Sequence, residues 1–233
     1  MNFLAHAHRH LNNPLYACGC VVPDWLNAVD RKVRVRRKRV QQWLQDQHAT
    51  DQSGDDTNNE SGSPMVCVAQ GIAQHHHDDH VFHGLRSFTE LNLHLALRLR
   101  NRLGENAGLR PMFVGHIVIE MLLDDSISRR SPGLIDRFYQ MVASASHETI
   151  QETVNEIAVV KTDALVSTIQ RFCEIQFLYD YASDEGLLYR LNQVLKRVRL
   201  PALDDAHLEF VAEARRSVED NYQQLLPWGD NAG

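Results

Sequence analysis

The chain has 233 residues, 43% of them hydrophobic and 23% charged, with a formal net charge of -6. That length can bury a full core in one domain, and the composition excludes wholesale disorder. No apolar run approaches the roughly 18 residues that span a bilayer, and sparse punctuation (12 glycines, 7 prolines) favours long helices over the many tight turns of a sandwich or barrel.

The opening MNFLAHAHRHLNN lacks the charged start and continuous apolar stretch of a secretory signal. It carries the first of two histidine clusters. His6 and His8 share a face if the segment is extended, and His6 and His10 share one if it is helical. Asn13-Pro14 reads as a helix cap followed by proline in the first turn. A helix is expected from Pro14 to about Val29, with Leu15, Cys18, Val22, Trp25 and Leu26 at helical spacing and a bend or break at Pro23. Asp24 is a lone acid in this apolar stretch, ordinarily a turn or cap aspartate. Cys18, Cys20, Cys67 and Cys173 form neither a CxxC pair nor a disulfide framework, so thiols in a reducing cytoplasm are expected.

Arg31, Lys32, Arg34, Arg36, Arg37, Lys38 and Arg39 make one basic patch on a chain that is otherwise strongly acidic. A basic helix is expected from about Arg31 to Gln45. Its ordinary reading is a solvated face, and its functional reading is a docking site for an acidic protein or nucleic acid. No aromatic residue interleaves the patch and only Trp43 follows it, which argues against single-strand binding. The segment 46–64, DQHATDQSGDDTNNESGSP, reads as a flexible surface loop.

Helices are expected from about Met65 to His83, from Leu85 to Leu103 (ended by Gly104), and from Pro111 to about Ile127. Another starts at Ser131-Pro132, and further helices reach about Leu226, with breaks near Thr162, Ser183 and Pro201. Continuous β-type alternation is absent. The fold class is therefore all-α, a single helical domain over residues 1–233.

Eight of the 13 histidines fall in two short windows, the second being HHHDDHVFH. His75 and Asp79 are four residues apart, so a helix places them on one face, and His116 and Glu120 repeat that spacing. A histidine and a carboxylate at this spacing can chelate one cation with little rearrangement, and the donor pair suits zinc, manganese or iron. His116 and Glu120 lie among Ile117, Val118, Ile119, Met121, Leu122 and Leu123, where a charged glutamate is costly unless paired or metal-bound. The plain alternative is a helical polar pair with no ligand. His76, His77 and His80 are expected to be surface decoration. Histidine and carboxylate sites on separate helices fit metal-dependent hydrolases built in helical bundles.

The opening MNFLAHAH resembles the MNFLAH start of the acyl carrier protein phosphodiesterase family, helical HD-domain-like metal-dependent hydrolases. Gly19 with Asp24 and Trp25 is similar to its Gly-Asn…Asp-Phe element. Gly71-Ile72 followed by His75 and Asp79 is similar to its Gly-Ile-x-x-His-x-x-x-Asp element. His116 and Glu120 fall where the family has two acidic residues spaced four apart. The resemblance covers roughly the first 125 residues. Here His76 and His77 replace the family's Arg-Arg, Phe82-His83 replaces its Thr-Asp, Cys20 replaces an Asn and Met121 a His, and the acidic loop is inserted.

The resemblance implies an HD-like bundle that releases 4′-phosphopantetheine from holo acyl carrier protein. His6, Asp24, His75, Asp79, His116 and Glu120 would line one site holding one or two divalent cations, Mn2+ above Fe2+ or Zn2+, which activate water. His83 or His8 would protonate the leaving serine oxygen. The acidic carrier would dock on the Arg31–Arg39 patch. Two other readings stand beside this one. The first is a metal-dependent phosphohydrolase of nucleotides or small phosphoesters. The second is a non-enzymatic helical interaction protein whose basic helix docks protein or nucleic acid.

Overall fold

A computed structural model describes residues 2–30, 32–51, 63–103, 108–226 and 228. Among the described residues every regular element is helical. The α-helices are α1 (Phe3–Ala7), α2 (Pro14–Val29), α3 (Arg37–Asp51), α4 (Pro64–Gly84), α5 (Arg86–Arg102), α6 (Pro111–Arg130), α7 (Leu134–Ser144), α8 (His147–Ile157), α9 (Leu165–Ile175), α10 (Asp184–Arg197), α11 (Leu208–Asp220) and α12 (Tyr222–Leu225). Short 3-10 turns occupy His8–His10, Phe177–Ala182 and Asp205–His207. The all-α expectation holds, and no helix among the described residues is long and apolar enough to cross a membrane.

Several boundaries differ from those read in the sequence. α2 runs unbroken through Pro23. Proline inside a helix forfeits a hydrogen bond at a cost of about 3 kcal/mol. Burial of Trp25 and Leu26, each 1% exposed on the same helix, offsets it. The basic helix begins at Arg37 rather than Arg31 and continues to Asp51, six residues into the expected loop. Val33 and Val35 explain the late start. Two residues apart, both are buried, and only a non-helical backbone points alternate residues inward. Of the remaining expected loop, residues 52–62 lie outside the described residues, as do Arg31 and Gly104, and Pro64 already begins α4. After α6, Ser131-Pro132 forms a turn with Gly133 at φ +78°, so α7 starts at Leu134.

The chain divides into two compact units, each assembled from separated stretches of sequence. Among the described residues, the first comprises those in Met1–Ala5, His80–Ile135 and Phe177–Asn231, and the second those in His6–Asp79 and Asp136–Gln176. In the first, α6 packs on α5 and α11, and α11 also packs on α10. Leu95, Leu99, Val118, Leu122, Leu187, Leu191, Phe210 and Val218 fill its core. The buried Asp125 is held there by Arg129 at 2.7 Å and by Arg215, which also reaches Asp184 at 2.7 Å. A buried carboxylate between two guanidiniums avoids the cost of an unpaired charge.

In the second unit α9 packs on α2 and α8, and α3 packs on α8. Trp25 and Tyr139 both press on Phe172, with ring centroids 5.6 and 5.3 Å away. The backbones of α2 and α4 meet without intervening side chains. A Cβ on Gly19 would lie 2.3 Å from the Val68 carbonyl oxygen, and one on Gly71 would lie 2.1 Å from that of Tyr16. This crossing fixes α4, and with it His75, against α2.

Candidate metal centres

In the second unit, His6, Asp24 and His75 present one ligand atom each, all within 4.8 Å of one another. His6 comes from the last turn of α1, Asp24 from α2 and His75 from α4. His6 is fully buried and His75 is 4% exposed. Their rings stack with centroids 4.0 Å apart. The glycine crossing brings His75 Nδ1 to 2.8 Å from the Cys20 carbonyl oxygen, to which it donates. That bond assigns the proton to Nδ1 and leaves the lone pair on Nε2, as a metal-ligating histidine requires.

Asp79, one helical turn after His75, adjoins the group. Its carboxylate lies 3.4 Å from His75 Nε2 and 3.4 Å from His6 Nε2. Burial alone would raise its pKa, but the two imidazoles hold it well below the ordinary carboxylate range. Asp78 escaped the sequence reading. It is 1% exposed, accepts from Arg9 Nη2 at 3.0 Å and Gln74 Nε2 at 2.7 Å, and lies 3.9 Å from His6 Nδ1. The Gln74–Asp78 spacing was its one local signal; the Arg9 contact is not local.

In the first unit, His83, His116 and Glu120 form a second group whose ligand atoms also lie within 4.8 Å of one another. His116 Nε2 is 2.9 Å and His83 Nε2 is 3.3 Å from the same Glu120 oxygen. The Glu120 side chain is 12% exposed. Burial raises its pKa, and the imidazoles of His116 and His83 help pull it well below the ordinary range.

The six expected ligands therefore divide into two groups, His6, Asp24, His75 and Asp79 in one unit and His116 with Glu120 in the other. His83, expected as a proton donor, is grouped with His116 and Glu120. His8, 1% exposed in the turn after α1, belongs to neither group of ligand atoms. Among the histidines expected to be decoration, His77 and His80 are exposed. His76 corrects that expectation: its Nε2 donates to the Val35 carbonyl at 2.6 Å, tying α4 to the segment before α3. In the basic patch, Lys32, Arg36, Arg37, Lys38 and Arg39 are exposed. Arg34 is half-buried, and Arg39 Nε donates to the Ile157 carbonyl at 2.7 Å.

A donor set of imidazole nitrogens and carboxylate oxygens gathered from helices, buried in the second unit and partly exposed in the first, can hold a borderline divalent cation in either unit. Compared with protein-family models, with curated proteins and with solved structures, the chain matches none.

Proposed function

We propose that the chain is a divalent-metal-dependent phosphodiester hydrolase with an HD-like bundle, acting on holo acyl carrier protein to release 4′-phosphopantetheine. The convergence of His6, Asp24 and His75, with Asp79 beside them, carries this reading. The donor set fits a divalent cation, because two imidazoles and two carboxylates supply the N/O ligands that manganese, iron and zinc accept. A cation bound there supplies Lewis acidity, lowering the pKa of water and neutralising charge on the phosphoryl oxygens.

The chain's own residues would do the rest. The Cys20 carbonyl orients His75, and the stacked His6 fixes the plane beside it. Asp79 adds negative charge that keeps both imidazoles directed inward. Arg9 and Gln74 hold Asp78 against His6 and so stiffen the wall of the site. Water gives up one proton as it adds at phosphorus, the bond from phosphorus to the serine oxygen breaks, and that oxygen takes up a proton from His8. His116 and Glu120 form a separate donor group in the first unit. The exposed basic residues Lys32, Arg36, Arg37 and Lys38 would steer the acidic carrier protein. A cytoplasmic location accords with this substrate and with four free cysteines.

The test is incubation of the untagged protein with holo carrier protein and Mn2+, read by mass spectrometry. Loss of one phosphopantetheine is expected. An intact carrier alongside hydrolysis of nucleotides or small phosphodiesters would move the substrate to those classes. An intact carrier with no hydrolysis of any ester and no bound metal would overturn the enzyme reading.

A further inference from the structure

We infer that His83, His116 and Glu120 form a self-contained two-histidine, one-carboxylate site for a zinc-class divalent cation, with His83 a ligand rather than a proton donor. This inference concerns one unit and does not rest on the hydrolase reading. All three residues belong to the first unit, His83 from the last turn of α4 and the other two from α6.

The geometry is that of ligands around a point. Both Nε2 atoms approach one oxygen of Glu120, at 2.9 and 3.3 Å, and the three ligand atoms stay within 4.8 Å of one another. Atoms about 2.0–2.2 Å from a common zinc ion fall within such a spread. His116 and Glu120 are joined by one helical turn, so a single backbone fixes two of the three ligand origins. The third is fixed by packing. Phe88 of α5 sets its ring edge-on to both imidazoles, with centroids 5.3 Å from His83 and 5.1 Å from His116. Phe88 is itself 5% exposed and packs on the buried Phe82. Next to His116, Gly115 brings α6 close to α5, since a Cβ there would sit 2.6 Å from Asn92 Oδ1.

Burial is graded in the way a reachable site needs. The carboxylate is 12% exposed, and the imidazoles are 36% and 33% exposed. A cation can therefore enter from solvent, and each Nδ1–H can donate to water while Nε2 binds metal. The alternative is a hydrogen-bonded trio in which both imidazoles donate Nε2–H to Glu120. The two arrangements differ in measurable metal affinity. Two imidazoles and one carboxylate leave coordination positions open for water or a ligand, the pattern of catalytic rather than closed structural zinc sites.

The probe is Co2+ added to the untagged full chain, with binding read by its visible absorption and by metal analysis after dialysis. The His6→Ala/His75→Ala double variant removes the other group's imidazoles. In that background one equivalent of Co2+ should remain, and Zn2+ should displace it. His83→Ala, His116→Ala and Glu120→Gln should each weaken it by about 100-fold or more, with the helical circular dichroism unchanged. His77→Ala, an exposed histidine of the same helix, should leave binding as it was. If the double variant does not fold, the same loss of one equivalent is read from His83→Ala in the otherwise native chain. Binding that is absent, or that is indifferent to His83→Ala, overturns the inference. Failure of the hydrolase reading would show separately, as metal retained by the native chain without ester hydrolysis.

Discussion

The two histidine–carboxylate groups use the same donor atoms and differ in what holds them. In the second unit the imidazoles are buried, one is tied to a backbone carbonyl, and the donor side chains come from three helices. In the first unit two helices suffice, the imidazoles are one-third exposed, and an aromatic ring sets their planes. The buried group is thus part of the core, so altering it disturbs packing and ligation together. The exposed group can be altered with less cost to the fold. A metal that binds both should exchange faster at the exposed one.

The largest effect that could break this contrast is chemical. Asp24→Asn and His75→Ala should each lower Mn2+-dependent hydrolysis of the carrier on the order of 1000-fold, or about 4 kcal/mol of barrier. His75→Ala should also lower the denaturant midpoint, because the Cys20 carbonyl loses its partner. Equal activity losses with no change in His75→Ala stability would remove the distinction between the groups.

Next comes the scaffold. Gly71→Ala puts a methyl against backbone, which cannot rotate away, so α2 and α4 must separate. A loss of about 3 kcal/mol in urea unfolding is expected. Gly84→Ala, at a glycine whose added Cβ meets nothing within 4 Å, is the control and should change stability little.

Docking should respond less. Arg36→Glu, Arg37→Glu and Lys38→Glu together should slow capture of an acidic carrier about tenfold at low ionic strength, with the difference shrinking as salt is added. Arg39 is left intact because it binds the Ile157 carbonyl. Stopped-flow association with native and triple-variant protein reads this directly.

The smallest effect is in pH dependence. Burial, aided by Arg9, lowers the pKa of His10 below 6.5, and burial pushes the Tyr16 hydroxyl up to about 12. The two rings touch edge-on at 4.8 Å. As pH falls through 6.5 the unfolded chain takes a proton that folded His10 resists, so stability declines. As pH rises from 10 toward 12 the unfolded chain releases the Tyr16 proton first, so stability declines again. Both groups are partly exposed and solvent screens their charges, so the slopes are shallow. Urea midpoints across pH should flatten on the alkaline side in Tyr16→Phe and on the acid side in His10→Gln.

Local periodicity made the helices legible, because cap residues, prolines and apolar spacing act within one or two turns. Asn13 and Pro14 start α2 as read, and Ser183 caps α10 by accepting from the Gly186 N–H at 3.0 Å. The His75–Asp79 and His116–Glu120 pairs were legible for the same reason. Residues 33 to 36 were not, because a run of basic residues outweighed two valines whose burial depends on distant partners. His76 was misjudged likewise, since its partner is a backbone carbonyl on another segment.

The sequence by itself determined an all-helical chain, its two i,i+4 histidine–carboxylate pairs and the separate basic segment, all consequences of spacing along one backbone. The family resemblance had already set His6 and Asp24 beside His75; only the tertiary structure put His83 with His116 and Glu120 and fixed the geometry of both groups. The physical reason is that these partners meet through close packing, the glycine crossing of α2 and α4 in one unit and the Phe88 and Gly115 contacts of α5 and α6 in the other. Such packing is set by the volumes of residues far apart in the chain and leaves no periodic trace in it.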